Sequence, residues 1–217
     1  MKIQTENTLY IIGGANGSGK STAESMFFDG SGITFVNADN IAKENHFLPT
    51  STETGKALFA EVDNLFSAHA SFVYETTLSG NYHNKLINRA KREGYSIEFL
   101  YVFLPSVETN LKRVRGRVKN GGHNVKEEVV RRRYPKSFEN FDEVRRKSTV
   151  WHLYDNSDEE QKCRLVATGT GDDVNVVDEE LYQQFMDCKA QAITERLADI
   201  EQARVERLER AAKIASK

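Results

Sequence analysis

The residues best suited to chemistry form a glycine-rich segment near the start of the sequence. It reads Gly14, Ala15, Asn16, Gly17, Ser18, Gly19, Lys20 and Ser21, with Thr22 directly after it. The spacing G-x4-G-K-[ST] is that of a P-loop, in which glycines let consecutive backbone N–H groups point at phosphate oxygens. Lys20 is expected to reach the β- and γ-phosphates, and the Ser21 hydroxyl to bind Mg²⁺. The segment predicts a nucleoside triphosphate site.

The elements predicted around this segment match that role. The apolar run 9–12 precedes it and predicts a strand, and 20–28 carries apolar residues at helical spacing. A P-loop requires this strand-to-helix context, because the helix presents its positive dipole end to the bound anion. An ordinary glycine-rich turn, which is the alternative, has no need of it.

Two acidic residues are placed to serve the same site. Asp39 follows a predicted strand at 33–37, and Glu75 closes another at 71–75. In an open α/β sheet the ligand lies beyond the carboxyl ends of the strands, so both acids are expected on the rim that carries the P-loop. Each also has an alternative role. Asp39 could cap the following helix, and Glu75 could be a buried acid bonded to backbone N–H groups.

A basic segment lies in the middle of the chain. Residues 112–136 include ten lysines and arginines but only two acidic residues. The helix predicted at 107–119 should break at the Asn-Gly-Gly-His of 120–123, and the three arginines 131–133 fall in the next helix. Such a helix–hinge–helix lid could close arginines over a triphosphate and exclude water. The alternative is a solvated helix face.

Alternating strands and helices are expected to position these residues. Strands are predicted at 9–13, 33–37, 71–75, 97–104 and 150–155, and helices at 20–28, 52–68, 82–92 and 107–119. An edge strand at 163–168 should follow, before residues 169–172 break the chain. This order is typical of an α/β fold with a central parallel sheet flanked by helices.

Composition narrows the class of protein. The 217 residues are 39% hydrophobic with a net charge of −2, which predicts one core and no general attraction to nucleic acid or anionic membranes. The chain has two cysteines, and neither a signal peptide nor a membrane span is apparent. The sequence therefore predicts a soluble cytoplasmic protein. It does not favour nucleic acid as a partner.

Together, these motifs resemble the zeta-toxin-like kinases, in particular their short single-domain branch. The resemblance covers roughly residues 8–170 and rests on the P-loop, Asn37-Ala38-Asp39, Glu75-Thr76-Thr77-Leu78, the Gly-Gly-His-Asn-Val and Arg-Arg-Arg-Tyr of the lid, and Tyr154-Asp155-Asn156-Ser157. It implies a P-loop kinase core over 1–177 with a helical lid at about 112–147. Residues 178–217 are then a C-terminal helical extension.

The resemblance also implies an activity. Zeta-toxin-like kinases use ATP or GTP with Mg²⁺ to phosphorylate a hydroxyl of a small molecule, which for zeta toxins is UDP-N-acetylglucosamine. Carried over to this sequence, Asp39 matches the catalytic base, Lys20 and Ser21 match the phosphate and metal contacts, and Glu75 matches an acid that holds the acceptor. Asn37, Thr76 and Thr77 are expected beside that acceptor.

The lid arginines are carried over in the same way. Arg117 and Arg132 are the best matches to the family's two lid arginines, with the register inside 131–133 open by one residue. Arg113 resembles the first arginine at the lid entry of adenylate kinases, which stacks on adenine.

Other functions remain compatible with the sequence. The chain lacks much of the acceptor-binding insertion of the best-known zeta toxins, so a nucleoside, cofactor or RNA-end kinase is an alternative. A nucleotide-gated interaction module, such as half of a toxin–antitoxin pair, is another. Asp39 and Glu75 favour an enzyme, because a switch has no use for an acceptor base.

The end of the chain predicts one long helix over 178–216. Its apolar series is Ile193, Leu197, Ile200, Leu208 and Ala211. Arg204 interrupts this series, so a strong coiled coil is not expected. The helix could cap the core near Leu181 and Phe185, or its distal half could dock on a second copy or on an antitoxin.

Overall fold

Strands and helices alternate along the part of the chain that the computed structural model describes, which comprises residues 7–37, 51–122 and 124–215. The strands are β1 (Thr8–Gly13), β2 (Thr34–Val36), β3 (Phe72–Thr76), β4 (Ser96–Phe103), β5 (Val150–Asp155), β6 (Arg164–Thr170) and β7 (Asp173–Val176). The helices are α1 (Lys20–Phe28), α2 (Ser51–Ser67), α3 (Tyr82–Arg92), α4 (Val107–Lys119), α5 (Glu127–Lys147) and α6 (Glu179–Ala215). The predicted α/β class is confirmed.

The described strands form one sheet in the order β2-β3-β1-β4-β5-β6-β7. The first five of these are parallel, and β6 and β7 are antiparallel. The register aligns Gly13 at the end of β1 with Thr76 of β3, and Val36 of β2 with Tyr74 of β3. Because parallel strands end on one rim, the residues after β1, β2 and β3 meet there.

Apolar side chains cover both faces of the sheet, as a parallel sheet requires. On one face, Phe99 and Tyr101 of β4 pack with Phe141 of α5 in a large core cluster. On the other, Leu100 and Val102 of β4 pack with residues of α1. The alternation along β4 follows from the period of two in a strand, so this strand is buried throughout its second half.

The sheet extends further than the sequence predicts. The expected break at residues 169–172 is a two-residue hairpin turn, because Thr170 pairs with Asp173 and β7 follows as a seventh strand. Gly171 takes a left-handed φ of 54°, which suits such a turn. Gly169 lies within β6, where an added Cβ would come within 2.7 Å of the Trp151 ring. Gly169 therefore allows the Trp151 ring to pack closely against β6, and the strand continues through it.

The predicted C-terminal helix is continuous as α6, and the Asp178 side chain accepts a hydrogen bond from Leu181 N at 3.0 Å. Phe185 is fully buried between Phe103 and Phe141, with ring centroids 5.0 Å from each. The first half of α6 is therefore part of the core. No helix within the described ranges is both long and apolar enough to cross a lipid bilayer.

Candidate functional site

The glycine-rich segment forms a tight loop between β1 and α1. Gly14, Gly17 and Gly19 have positive φ, and α1 begins at Lys20. An added Cβ at Gly14 would lie 2.2 Å from the carbonyl oxygen of Val102, so only glycine fits beside β4. Three residues of this loop are buried, namely Gly14, Ala15 and Ser18. The others line a cleft together with the first residues of α1: Asn16, Gly17, Gly19, Lys20, Ser21 and Thr22.

Two buried asparagines hold the loop from outside, and neither was expected to do so from the sequence. Asn110 of α4 donates to the carbonyl oxygen of Asn16 at 2.8 Å. Asn156, directly after β5, donates to the carbonyl oxygen of Ser18 at 2.9 Å and accepts from Cys163 N at 3.2 Å. A Cβ on Gly19 would lie 1.8 Å from Asn156 Nδ2, so Gly19 makes this contact possible.

Replacing Asn156 by alanine should loosen the loop. The change leaves the Ser18 carbonyl and the Cys163 amide without their partner, which typically costs about 1–3 kcal/mol of stability per buried group. We expect ATP to bind about tenfold more weakly, as measured by calorimetric titration. Without Asn156, the backbone amides of the P-loop are less ordered, and binding must supply the free energy that orders them. Asn175→Ala on the exposed edge strand β7 is the control. Equal ATP affinity in the two variants would contradict this role for Asn156.

Lys20 connects the loop to the acidic rim of the sheet. Its Nζ donates to the carbonyl oxygen of Ala15 at 3.2 Å and lies 3.6 Å from Oε1 of Glu75. Asn37, directly after β2, donates to Oε2 of Glu75 at 3.2 Å. The structure thus brings together Lys20, Glu75 and Asn37, as the strand register requires. Asp39, the expected catalytic base, lies outside the described residues.

The cleft above this rim has a volume of about 580 Å³. The P-loop residues line it together with Asn37 and the residues from Tyr74 to Thr77. Thr76 Oγ1 accepts from Leu78 N at 3.1 Å, and the hydroxyls of Thr77 and Ser79 lie 2.8 Å apart. These local bonds fix the shape of the turn after β3.

The lid helices α4 and α5 supply arginines to the same cleft. Arg113, Arg117 and Arg133 line it, and Arg133 Nη1 donates to Oδ1 of Asn16 at 3.3 Å. Arg132 is exposed on another side of α5, where it lines a second cavity of about 830 Å³ between α4, α5 and α6. Within 131–133, the structure therefore places Arg133 beside the P-loop, one residue after the position expected from the family pattern.

Two other arginines, Arg115 and Arg131, join α4 and α5 on the outer surface through Glu127. Glu127 accepts from Arg115 and from Arg131, at 2.7 Å in each case, and these bonds lower the pKa of its carboxyl group. Between the helices, Gly122 N donates to the carbonyl oxygen of Arg117. A Cβ on Gly122 would lie 2.5 Å from Arg117 Cγ, so the hinge glycine lets that arginine lie close to the hinge. His123 of the expected hinge is outside the described residues.

His83 is a cleft residue that sequence reasoning missed. It is 1% exposed on α3, and its Nε2 has no hydrogen-bond partner among the residues described here. Burial lowers the pKa of its imidazole, which favours the neutral form. His83 shares a buried helix face with Leu86, Ile87 and Ala90, so a polar residue on an apolar face was the available signal.

Two solved structures have a similar fold. One is the AvrRxo1-ORF1:AvrRxo1-ORF2 complex with ATP, at a TM-score of 0.67 and 19% identity over 84% of this chain. This chain spans 64% of the length of that AvrRxo1 chain. The other is the PezAT chromosomal toxin–antitoxin system of Streptococcus pneumoniae, at a TM-score of 0.59 and 16% identity. That match covers 88% of this chain and 89% of the PezAT chain. The similarity supports the P-loop kinase fold.

Comparison of sequences identifies a relative and a family. An uncharacterized protein of Haemophilus influenzae (strain ATCC 51907 / DSM 11121 / KW20 / Rd) is 34% identical over 132 residues, which cover 59% of this chain and 94% of that protein. The sequence model of the zeta toxin family matches residues 2–170, a range that includes the P-loop, the acidic rim and the lid described above. With most of its length matched, and the cleft inside the match, the chain belongs to the zeta toxin family.

Proposed function

We propose that this protein is a kinase that transfers the γ-phosphoryl group of ATP or GTP to a hydroxyl of a small molecule. One observation carries the proposal. A single cleft is lined both by the P-loop and by polar strand-end residues that a phosphate site does not need. Two substrates that meet across one cleft are what phosphoryl transfer requires.

The nucleotide end of the cleft suits a triphosphate. Lys20 and the lid arginines Arg117 and Arg133 bring positive charge to it from two directions. These cations would neutralise charge on the transferred phosphoryl group, which is the main task of the protein in this reaction. Arg113 also lines this cleft, and we assign it to contact the nucleotide base.

We expect Mg²⁺ to bind at this site with only one or two protein ligands. No group of three histidine, cysteine or acidic side chains in the described ranges forms a metal cage. Mg²⁺ in nucleotide sites is usually held by one or two protein oxygens together with phosphates and water. Ser21, next to Lys20 in the cleft, provides such an oxygen, and bound Mg²⁺ would supply further neutralisation of phosphate charge.

At the acceptor end, we assign Asp39 as the base that orients the acceptor hydroxyl. Its position two residues after Asn37 supports the assignment, because Asn37 is bonded to Glu75 at the cleft wall. Glu75, Thr76 and Thr77 would hold the acceptor. The pair that Glu75 makes with Lys20 must then rearrange when both substrates bind.

The acceptor wall also has an apolar part that suits a planar ring. Leu58, Tyr74 and Tyr82 line the cleft, and the Tyr82 ring lies 4.6 Å from that of Phe59. Aromatic side chains commonly bind bases by stacking. UDP-N-acetylglucosamine, or a related nucleotide sugar, is the acceptor we propose. Family membership also supports the role of a toxin with an antitoxin partner.

A labelling experiment tests the proposed activity. The protein is incubated with γ-labelled ATP, Mg²⁺ and a small-molecule extract to which UDP-N-acetylglucosamine has been added, and labelled products are identified by mass. We expect one labelled small molecule, and no label with Lys20→Ala. Label on RNA ends would favour the alternative kinase class. ATP binding without any labelled product would favour a nucleotide-gated module.

A further inference from the structure

The distal half of α6, from Leu197 onward, extends past the core formed by the residues that the structure describes. Every side chain from Leu197 to Ile214 is exposed, including Leu197 at 57% and Leu208 at 62%. Earlier in the same helix, Leu181, Phe185 and Ala192 are buried against the core. A helix that buries no apolar face has little to stabilise it in water. Its exposed face therefore needs an occupant.

The spacing of residues on this exposed face is that of a helix-pairing seam. Leu197, Glu201, Arg204 and Leu208 follow one another at intervals of four, three and four residues. Alternating intervals of four and three residues are those of a heptad repeat, which keeps all four side chains on one side of the helix. Arg204 Nη1 lies 3.5 Å from Oε2 of Glu201, so the two charges are adjacent on this face.

The seam is self-complementary only when two helices run in opposite directions. If Leu197 of one copy lies opposite Leu208 of the other, Glu201 of each copy lies opposite Arg204 of the other. The same register places Thr194 opposite Ala211, so the outer layers contain small side chains that allow close approach. A parallel pair would instead set Arg204 beside Arg204 and Glu201 beside Glu201, and like charges in contact oppose pairing.

We propose that this seam, defined by Leu197, Glu201, Arg204 and Leu208, binds a second copy of this chain as an antiparallel helix pair. The two-fold symmetry makes the interface closed, so the assembly stops at a dimer. Arg204 then completes two reciprocal ion pairs between leucine layers and does not merely interrupt an apolar face. Because the interface is one helix pair, its area is small, and we expect a dissociation constant on the order of micromolar. The proposal does not depend on the kinase activity.

Charge exchange tests the pairing in solution. The molecular mass of the full chain is followed against concentration by sedimentation or light scattering. E201R and R204E should each weaken dimerisation at least tenfold, since each places like charges opposite one another twice. The double variant E201R/R204E should restore the wild-type dissociation constant. R210E makes the same change away from the seam, where Arg210 pairs with Glu206, and should dimerise as wild type.

Cross-linking tests the direction of the helices. An equimolar mixture of L197C and L208C should form disulfides mainly between the two variants, whereas parallel helices would cross-link each variant to itself. A wild-type chain that stays monomeric at every concentration overturns the proposal and leaves the seam to a different protein. A dimer that E201R and R204E do not weaken, or that E201R/R204E does not restore, overturns it as well.

Discussion

Replacement of Asp39 by asparagine is expected to lower turnover by about 10²–10⁴ while ATP affinity stays within a few-fold, because a positioned proton acceptor contributes a factor of that size. The substitution separates the two roles that the sequence leaves open. Asparagine caps a helix about as well as aspartate does, so the variant keeps any capping contact and removes only the carboxylate charge. Turnover is measured as phosphate transferred to the acceptor that the labelling experiment identifies.

A control and a second readout complete this test. Asp29→Asn makes the same chemical change at the exposed end of α1 and should leave turnover unchanged. Asp39→Ala should lower thermal stability as well as turnover if the residue also caps a helix, by about 1 kcal/mol. Wild-type turnover in Asp39→Asn would show that the assignment as a base is wrong, and the capping role would then replace it.

Removal of the Arg133 side chain is expected to cost as much as about 10³ in turnover if it acts on the transferred phosphoryl group, with a smaller loss of ATP affinity. The expectation rests on its position. Arg133 lies in the cleft and donates to Asn16 of the P-loop. An interaction that strengthens in the transition state lowers kcat more than it raises KM.

The neighbouring residue is the matched control. Arg132→Ala makes the same truncation one residue away, on the side of α5 that lines the second cavity, and turnover should stay within a few-fold of wild type. A large loss in Arg132→Ala together with a small loss in Arg133→Ala would reverse the assignment. That result would require α5 to rotate by about 100° when the lid closes over the nucleotide.

Local patterns were enough to predict most of the elements. The P-loop can be recognised from a short stretch of sequence, because its glycines and the helix directly after them form the anion site on their own. The helices Lys20–Phe28, Tyr82–Arg92 and Val107–Lys119 have the bounds that periodicity predicts. The missed strand Asp173–Val176 has mostly exposed side chains and lies at the sheet edge, so no apolar alternation marked it.

Contacts between residues that are far apart in the sequence could not be predicted from such local patterns. Asn110 and Asn156 reach the P-loop across 94 and 138 residues of sequence, and nothing local shows which asparagine will face a loop carbonyl. His83 likewise has a cleft position that depends on how the buried face of α3 packs against the sheet.

Sequence patterns were sufficient to predict the P-loop, the strand-end acids and an arginine-rich helix pair, because each prediction depends on residues close together in the chain. Packing was needed to show which arginine of 131–133 faces the cleft, since consecutive residues on a helix differ by about 100° in direction. The packing of α5 against the sheet through Phe138 and Phe141 sets that rotation. Packing also buries the first half of α6, where Phe185 contacts the sheet and α5, and leaves the side chains of its second half exposed.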